Sequence, residues 1–156
     1  MIQYVLGDAT YPVGESPRVI VHVCNDMGGW GRGFVLAISS RWSEPEQDYR
    51  DWFDEGPRGD FRLGAVRFVE VEPSLWVANL IGQHKTRPIK NAPPIRYEAL
   101  REGLRTVRQF CKSNQASVHM PRIGCGLAGG RWKTVSAIIE DELITQGIPV
   151  TVYDLP

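Results

Sequence analysis

Three cysteines, Cys24, Cys111 and Cys125, are the only thiols in 156 residues. They are odd in number, far apart and without a C-x-x-C pair, which argues against a disulfide framework and against a structural zinc site. Histidine is as scarce: His22, His84 and His119 do not fall at ligand spacings with carboxylates or thiols, so no metal site and no cofactor are expected. Charge of either sign is not in excess. Eighteen Lys and Arg balance eighteen Asp and Glu, so no global field draws the chain to nucleic acid or to a membrane surface, and a polyanionic partner has to be recognised locally. No apolar run nears twenty residues and no signal-peptide pattern is present, so no membrane partner is expected and the expected compartment is the cytoplasm. Biased and repetitive stretches are missing too. What remains is 42% hydrophobic and 23% charged, the composition of one globular domain over 1–156, long enough to bury roughly two-thirds of its unfolded surface.

Along the chain the hydrophobic period alternates between strand and helix. "IQYVL" (2–6) and "RVIVHV" (18–23) read as strands, the second apolar enough to be buried on both faces. A glycine-rich turn over Gly28 to Gly33 leads into a helical "FVLAISSRW" (34–42), and "PEQDYRDWFDEG" (45–56) reads as a short helix opened by Pro45 and closed by Gly56. Residues 65–82 give two strands around a Glu-Pro-Ser turn. Residues 82–94, with three prolines and no period, form a long surface loop, a kind of segment that often carries function. A helix over 96–111 places Leu100, Leu104, Val107 and Cys111 on one stripe. The strand "SVHMP" (117–121) follows. A second helix from Trp132 buries Val135, Ile138 and Ile139, with Glu142 and Leu143 at the boundary of its apolar face and Gly147 as its cap, before a last strand, "IPVTVYDL" (148–155). Strand and helix repeated around one sheet give an α/β domain with helices on both faces.

Four glycines fall between Gly124 and Gly130 in "MPRIGCGLAGGRW" (120–132), between a buried strand and a helix. Backbone N–H groups in such a loop, with the free N–H groups of the helix that follows, make an anion site that needs no basic side chain. The stretch also fits G-x-G-x-x-G at Gly124, Gly126 and Gly129, with Asp154 beyond the next strand. That dinucleotide reading is set aside, because Pro121 to Ile123 separate strand from loop and no further strands follow Asp154. A second loop, "CNDMGGWGRG", also leaves a buried strand and opens a helix. Two such loops in a chain of zero net charge suit a ligand with two phosphates, or with a phosphate and a sugar, held mostly by backbone, and a diphosphate nucleotide fits.

These motifs, in this order, resemble the macrodomain family, whose members bind ADP-ribose. "VLGDAT" (5–10) is similar to the family's first-strand GDIT motif, and the resemblance continues through "VHVCNDMGGWGRGFV", "WVANLIGQ", "MPRIGCGLAGGRW" and "VTVYDL" over essentially the whole chain. "MPRIGCGL" with the terminal "TVY" is similar to the branch that includes the terminal ADP-ribose protein glycohydrolase and the macrodomain of a chromatin remodeller. The resemblance implies a three-layer α/β/α sandwich around a mixed central sheet. It implies as partners ADP-ribose and a mono-ADP-ribosylated protein or nucleic acid. Asp8 would accept a hydrogen bond from the adenine amino group, with the backbone of Ala9 helping to seat the ring; the plainer reading of Asp8 is a turn residue. Asn25 would contact the distal ribose, or serve as a satisfied polar residue at a strand end. Gly31, Arg32, Gly33 and Phe34, and Gly124, Cys125, Gly126, Leu127 and Ala128, would form the loops around the diphosphate, and Tyr153 joins the ligand-binding set. Arg32 would reach a phosphate or face solvent. Trp30 and Trp132 read as packing residues, as does Cys125, although its place at a helix mouth suits a lowered thiol pKa. His22 and His119 read as core residues.

The glycohydrolase of that branch carries a lysine after its fourth or fifth strand and an aspartate in the second glycine loop, as nucleophile and base. Here those positions are Gln83 and Ala128. Glutamine makes no Schiff base and alanine accepts no proton, so covalent catalysis through lysine is not expected unless the loop turns Lys85 inward. Water can still attack an ester with a good carboxylate leaving group if it is oriented and the developing charge is stabilised. Asn25, Gln83 and His84 are the candidate catalytic residues, His84 as a general base or as an exposed loop histidine. Three functions fit: an ADP-ribosyl hydrolase acting on Glu or Asp esters, a non-catalytic ADP-ribose reader, and an ADP-ribose 1''-phosphate phosphatase. The hydrolase is the expected one, since a lone small domain brings no effector for a reader to recruit.

Overall fold

The computed structural model describes residues 1–156. Six strands, β1 (Gln3–Leu6), β2 (Arg18–Asn25), β3 (Val66–Glu72), β4 (Leu75–Gln83), β5 (Ser117–Met120) and β6 (Val150–Asp154), form one sheet in the order β1-β6-β5-β2-β4-β3. All neighbours run parallel except β3, which pairs antiparallel with β4 through the tight turn at Pro73 and Ser74, so the sheet is mixed as expected. Helices α1 (Phe34–Arg41) and α2 (Glu44–Asp54) cover one face, and α3 (Tyr97–Asn114) and α4 (Trp132–Glu142) cover the other. No helix is long and apolar enough to cross a membrane.

The alternation of β2 explains the two layers. Ile20 and Cys24 pack with Val35, Ile38, Tyr49 and Trp52 under α1 and α2. Val19 and Val21 point the other way, to Leu100, Leu104 and Val107 of α3 and Val135 and Ile139 of α4. A strand flanked by β5 and β4 and covered on both sides has no solvent face, which is why its sequence is nearly continuous in apolar residues. The stripe expected on α3 is buried in full, Leu100, Leu104 and Val107 at 0% exposure.

One residue departs from the apolar pattern for a physical reason. Glu142, expected at the edge of the apolar face of α4, is buried, and its carboxylate accepts from Arg101 at 2.8 Å and Arg105 at 3.2 Å, with Arg108 at 3.4 Å. Three guanidinium groups from successive turns of α3 replace the water it loses, and they tie α3 to α4. Burial alone would raise its pKa; the hydrogen bonds from Arg101 and Arg105 outweigh that and hold the carboxyl below its ordinary range.

The connections place the site. Chain leaving β2 crosses one face through α1 and α2 to the edge strand β3 and turns back into β4 beside β2, and chain leaving β4 crosses the other face through α3 to reach β5 on the far side of β2. The connections therefore diverge at the carboxyl end of β2, the place where ligands bind in sheets of this kind. The ends of β1, β4 and β5 lie at the same edge.

Candidate functional site

Three loops rim this edge, and each is organised by hydrogen bonds to its own backbone. In the first, after β2, the Asn25 carboxamide works as a scaffold: Oδ1 accepts from the N–H of Met27 at 2.9 Å and of Gly29 at 3.1 Å, and Nδ2 donates to the Gly29 carbonyl at 3.0 Å. The hydroxyl of Tyr49 lies 2.5 Å from the Asn25 carbonyl and 3.0 Å from its Oδ1. Burial pushes the Tyr49 phenol up, so it remains a donor. One Nδ2 hydrogen of Asn25 is left for a ligand. Beyond this knot Gly31, Arg32 and Gly33 are exposed, and their N–H groups donate to nothing in the chain. Phe34 starts α1.

In the second loop Gly124 sits at φ 72°, and its carbonyl receives the Gly130 N–H at 2.7 Å. The Gly129 N–H returns to Gly126 at 3.1 Å, and the buried Ala128 gives its carbonyl to the Ile95 N–H at 3.0 Å. The amides of Gly126, Leu127 and Ala128 have no partner in the chain. Leu127, 56% exposed, brings Cδ1 to 3.4 Å from where a Cβ on Gly33 would stand, so the two glycine loops meet there. Two rows of free backbone donors beside helix N-termini are suited to the oxygens of a diphosphate. Cys125 is half-buried beneath its loop; burial pushes its thiol up, against the pull of Arg122, so the helix mouth does not activate it.

The third loop follows β4. Asn25 and Gln83 are register partners at the ends of β2 and β4. Gln83 donates Nε2 to the Lys85 carbonyl at 2.9 Å, leaving its Oε1 without a partner in the chain. His84 is fixed through Nδ1, 2.7 Å from Oδ2 of Asp26. The other Asp26 oxygen accepts the Lys85 N–H at 2.7 Å, with Lys85 in the left-handed region at φ 60°. Lys85 contributes backbone to this turn while its side chain is exposed. Asp26 and Tyr49 went unnoticed in the sequence: Asp26 is 58 residues from His84, and only the pairing of β2 with β4 brings them together.

At the end of β1, Oδ1 of Asp8 accepts from both the N–H and the hydroxyl of Thr10 at 2.8 Å, which makes Asp8 a turn residue and leaves Oδ2 as an acceptor. Ala9 is buried beside it. Tyr153 is 4% exposed, and its hydroxyl accepts from Val13 N–H at 2.9 Å and lies 2.6 Å from Nδ1 of His119, so it forms a wall under this corner. Trp30 is buried with its indole N–H on Ser39, and Trp132 donates to Tyr4, both consistent with packing. His22 is core, 2.5 Å from Oδ1 of Asn79.

Charge is distributed unevenly over this neutral chain. The segments 27–33, 85–96 and 121–133 hold eight cations, Arg32, Lys85, Arg87, Lys90, Arg96, Arg122, Arg131 and Lys133, and no carboxylate. Arg122 is taken up by Asp154 and Arg96 turns to the carbonyls of Pro93, Pro94 and Ile95, while the other six are exposed at the rim.

No protein-family model matches the chain. The structure of a macrodomain protein from Streptomyces coelicolor is 53% identical, covers 100% of both chains and superposes with a TM-score of 0.89. The mouse chromodomain-helicase-DNA-binding protein 1-like is 35% identical over 99% of this chain. The chain spans only 18% of that relative and 15% of its zebrafish counterpart. Bovine ADP-ribose glycohydrolase OARD1 is 45% identical over 60 residues, 38% of this chain and 40% of the relative. The sheet order, the paired glycine loops and end-to-end identity with the Streptomyces protein together establish that this chain belongs to the macrodomain family.

Proposed function

We propose that this macrodomain binds ADP-ribose across the carboxyl end of β2 and hydrolyses the bond between the distal ribose and an acidic side chain of a modified protein. The unpaired amides of Gly31 to Gly33 and Gly126 to Ala128, under a rim of cations, support diphosphate binding. The carboxylate oxygen of Asp8 that Thr10 leaves free suits an adenine amino group. The observation that carries hydrolysis is the grouping of Asn25, Gln83 and His84 at the adjacent ends of β2 and β4, each with hydrogen-bonding capacity the fold has not used.

The reaction needs no covalent enzyme intermediate. A water held by Gln83 Oε1 attacks the anomeric carbon and passes its proton to His84 Nε2. The carbon–oxygen bond to the ester breaks with its electron pair, the carboxylate leaves, and free ADP-ribose carries the new hydroxyl. The amide hydrogen left on Asn25 steadies a ribose hydroxyl. Ala128, buried with its carbonyl on Ile95, supplies no base, which assigns that task to the third loop. The relative named ADP-ribose glycohydrolase supports hydrolysis as the class of activity.

Release of free ADP-ribose from a protein modified on Glu or Asp, measured beside calorimetric ADP-ribose binding, tests this reading. The double substitution Gln83→Ala, His84→Ala is expected to abolish release with little loss of binding. Unchanged release would remove the catalytic assignment, and binding without release by the parent would make the domain a reader.

A further inference from the structure

We infer that Asp26 is a positioning residue for His84, fixing the ring in the tautomer whose free nitrogen is Nε2. This rests on the hydrolase reading above for its consequence, though not for its geometry. Oδ2 of Asp26 lies 2.7 Å from Nδ1 of His84, and Oδ1 accepts the Lys85 N–H at 2.7 Å. A carboxylate offers only acceptors, so the hydrogen of a neutral ring has to sit on Nδ1, and Nε2 keeps its lone pair. No other hydrogen bond is made to the ring: Nε2 has no partner, and the His84 backbone N–H is occupied by the Pro94 carbonyl at 2.8 Å.

The second bond fixes where the ring stands. Lys85 occupies the left-handed region at φ 60°, a conformation that a residue with a Cβ holds only when something selects it. Its N–H on Asp26 and its carbonyl on Gln83 Nε2 are the bonds that hold the turn. Asp26 is in turn anchored to the sheet, since its own N–H donates to the Gln83 carbonyl at 3.0 Å. One carboxylate, 17% exposed, thereby sets both the tautomer and the location of a ring that is 36% exposed and would otherwise be free to rotate. A carboxylate that orients an imidazole and supports its protonated form is the recurring way to make histidine a directional base.

Asp26→Asn replaces one acceptor by an NH₂ donor. With the carbonyl kept on Lys85, the amide faces Nδ1, the ring hydrogen moves to Nε2 and the base is lost. Release of ADP-ribose from a Glu/Asp-modified protein is expected to fall by about 10²- to 10³-fold, while ADP-ribose affinity stays within about twofold. Asp26→Asn in a His84→Gln background is expected to cost nothing further, and Asp26→Glu to recover part of the lost rate. The tautomer is read directly from ¹⁵N shifts of the histidine rings at mildly alkaline pH, His84 being identified by its loss in His84→Gln. A parent ring with hydrogen on Nε2, or a parent-like ring in Asp26→Asn, overturns the inference, as does an equal loss of rate from Asp26→Asn whether or not His84 is present. A parent that shows the Nδ1 hydrogen but releases no ADP-ribose sinks the hydrolase reading and leaves the positioning role intact.

Discussion

Gly130 donates its N–H to the carbonyl of Gly124 at 2.7 Å, and a Cβ built on Gly130 would stand 2.4 Å from that same oxygen. The second glycine loop is closed by backbone on backbone, at a distance no other residue permits. Its glycines therefore divide by what surrounds them. Gly124, at φ 72° with Ile95 pressing on it, and Gly130 are required by the fold, whereas nothing stands within 4 Å of a Cβ on Gly126.

That division separates stability from binding. Gly130→Ala has to open the loop and is expected to cost about 1 to 3 kcal/mol, read as a lower urea midpoint. Gly126→Ala is expected to leave stability within about 0.5 kcal/mol while weakening ADP-ribose at least about tenfold, because its methyl occupies the space beside the free amides. Parent-like calorimetric binding by Gly126→Ala would move the diphosphate away from this loop.

Glu142 answers to three arginines of α3, and removing it leaves them facing one another at the seam with α4. Glu142→Ala is expected to destabilise by about 2 kcal/mol. That lies below the usual cost of breaking a fully buried pair, since the guanidinium groups are partly exposed and regain water. ADP-ribose affinity should be unaffected, as the seam is away from the three rim loops. A variant as stable as the parent would show that the cluster is held by the helix packing rather than the reverse.

Acid should loosen the fold in a definite window. Burial lowers the pKa of His22 to about 4, against the raising effect of its bond to Asn79, and lowers that of His119 to about 4, with the charge of Arg18 acting in the same direction. An unfolded histidine titrates near 6.5, so between about pH 6.5 and pH 4 the unfolded chain holds more protons than the native one, and stability drops as pH falls. The slope is up to about 1.4 kcal/mol per pH unit for each histidine and levels off below about pH 4. Glu142, held below its ordinary range, adds loss at the acid end of the window, as pH passes through its native pKa. Urea midpoints across this range check the slope, and His119→Gln is expected to remove about half of it. A flat profile would mean that the two rings are protonated in the fold.

The layers were legible because their signals are local. A continuous apolar run gave the doubly covered β2, and an alternating four- and three-residue spacing gave the buried stripe of α3. The glycine loops were legible as loops, and their free amides followed from strand–loop–helix order. Roles set by contacts distant in sequence were not. In sequence Asn25 fits either a ribose contact or a satisfied polar residue at a strand end, and only the fold shows that most of its hydrogen bonds are spent on Met27, Gly29 and Tyr49. The role of Asp26 is invisible in sequence, since nothing in "CNDMGG" announces a histidine 58 positions on. Glu142 looks like a boundary residue in sequence because its three partners lie on another helix.

Asp154 is the sharpest instance of a local signal overruled. Its position after G-x-G-x-x-G imitates the acid that binds a ribose in dinucleotide folds. In the structure both of its oxygens are taken by Arg122, Nε at 2.8 Å and Nη2 at 3.0 Å, and this bidentate bond holds the carboxyl below its ordinary range. The guanidinium lies 5.3 Å from the ring centre of Tyr4 and 5.0 Å from that of Trp132, so the pair ties the exit of β5 to the end of β6, to β1 and to the start of α4. A carboxylate so occupied is turned toward Arg122 and committed to that pair rather than to a ribose. Asp154→Asn is therefore expected to bind ADP-ribose within about twofold of the parent, the pair being exposed and worth little by itself. Arg122→Ala keeps the backbone bond from the Cys125 N–H but strips the start of the second glycine loop of its side-chain anchors on Asp154, Tyr4 and Trp132, and should weaken binding several-fold. A tenfold loss in Asp154→Asn, with Arg122→Ala unchanged, would instead put Asp154 in contact with the ligand and revive the dinucleotide reading of this loop.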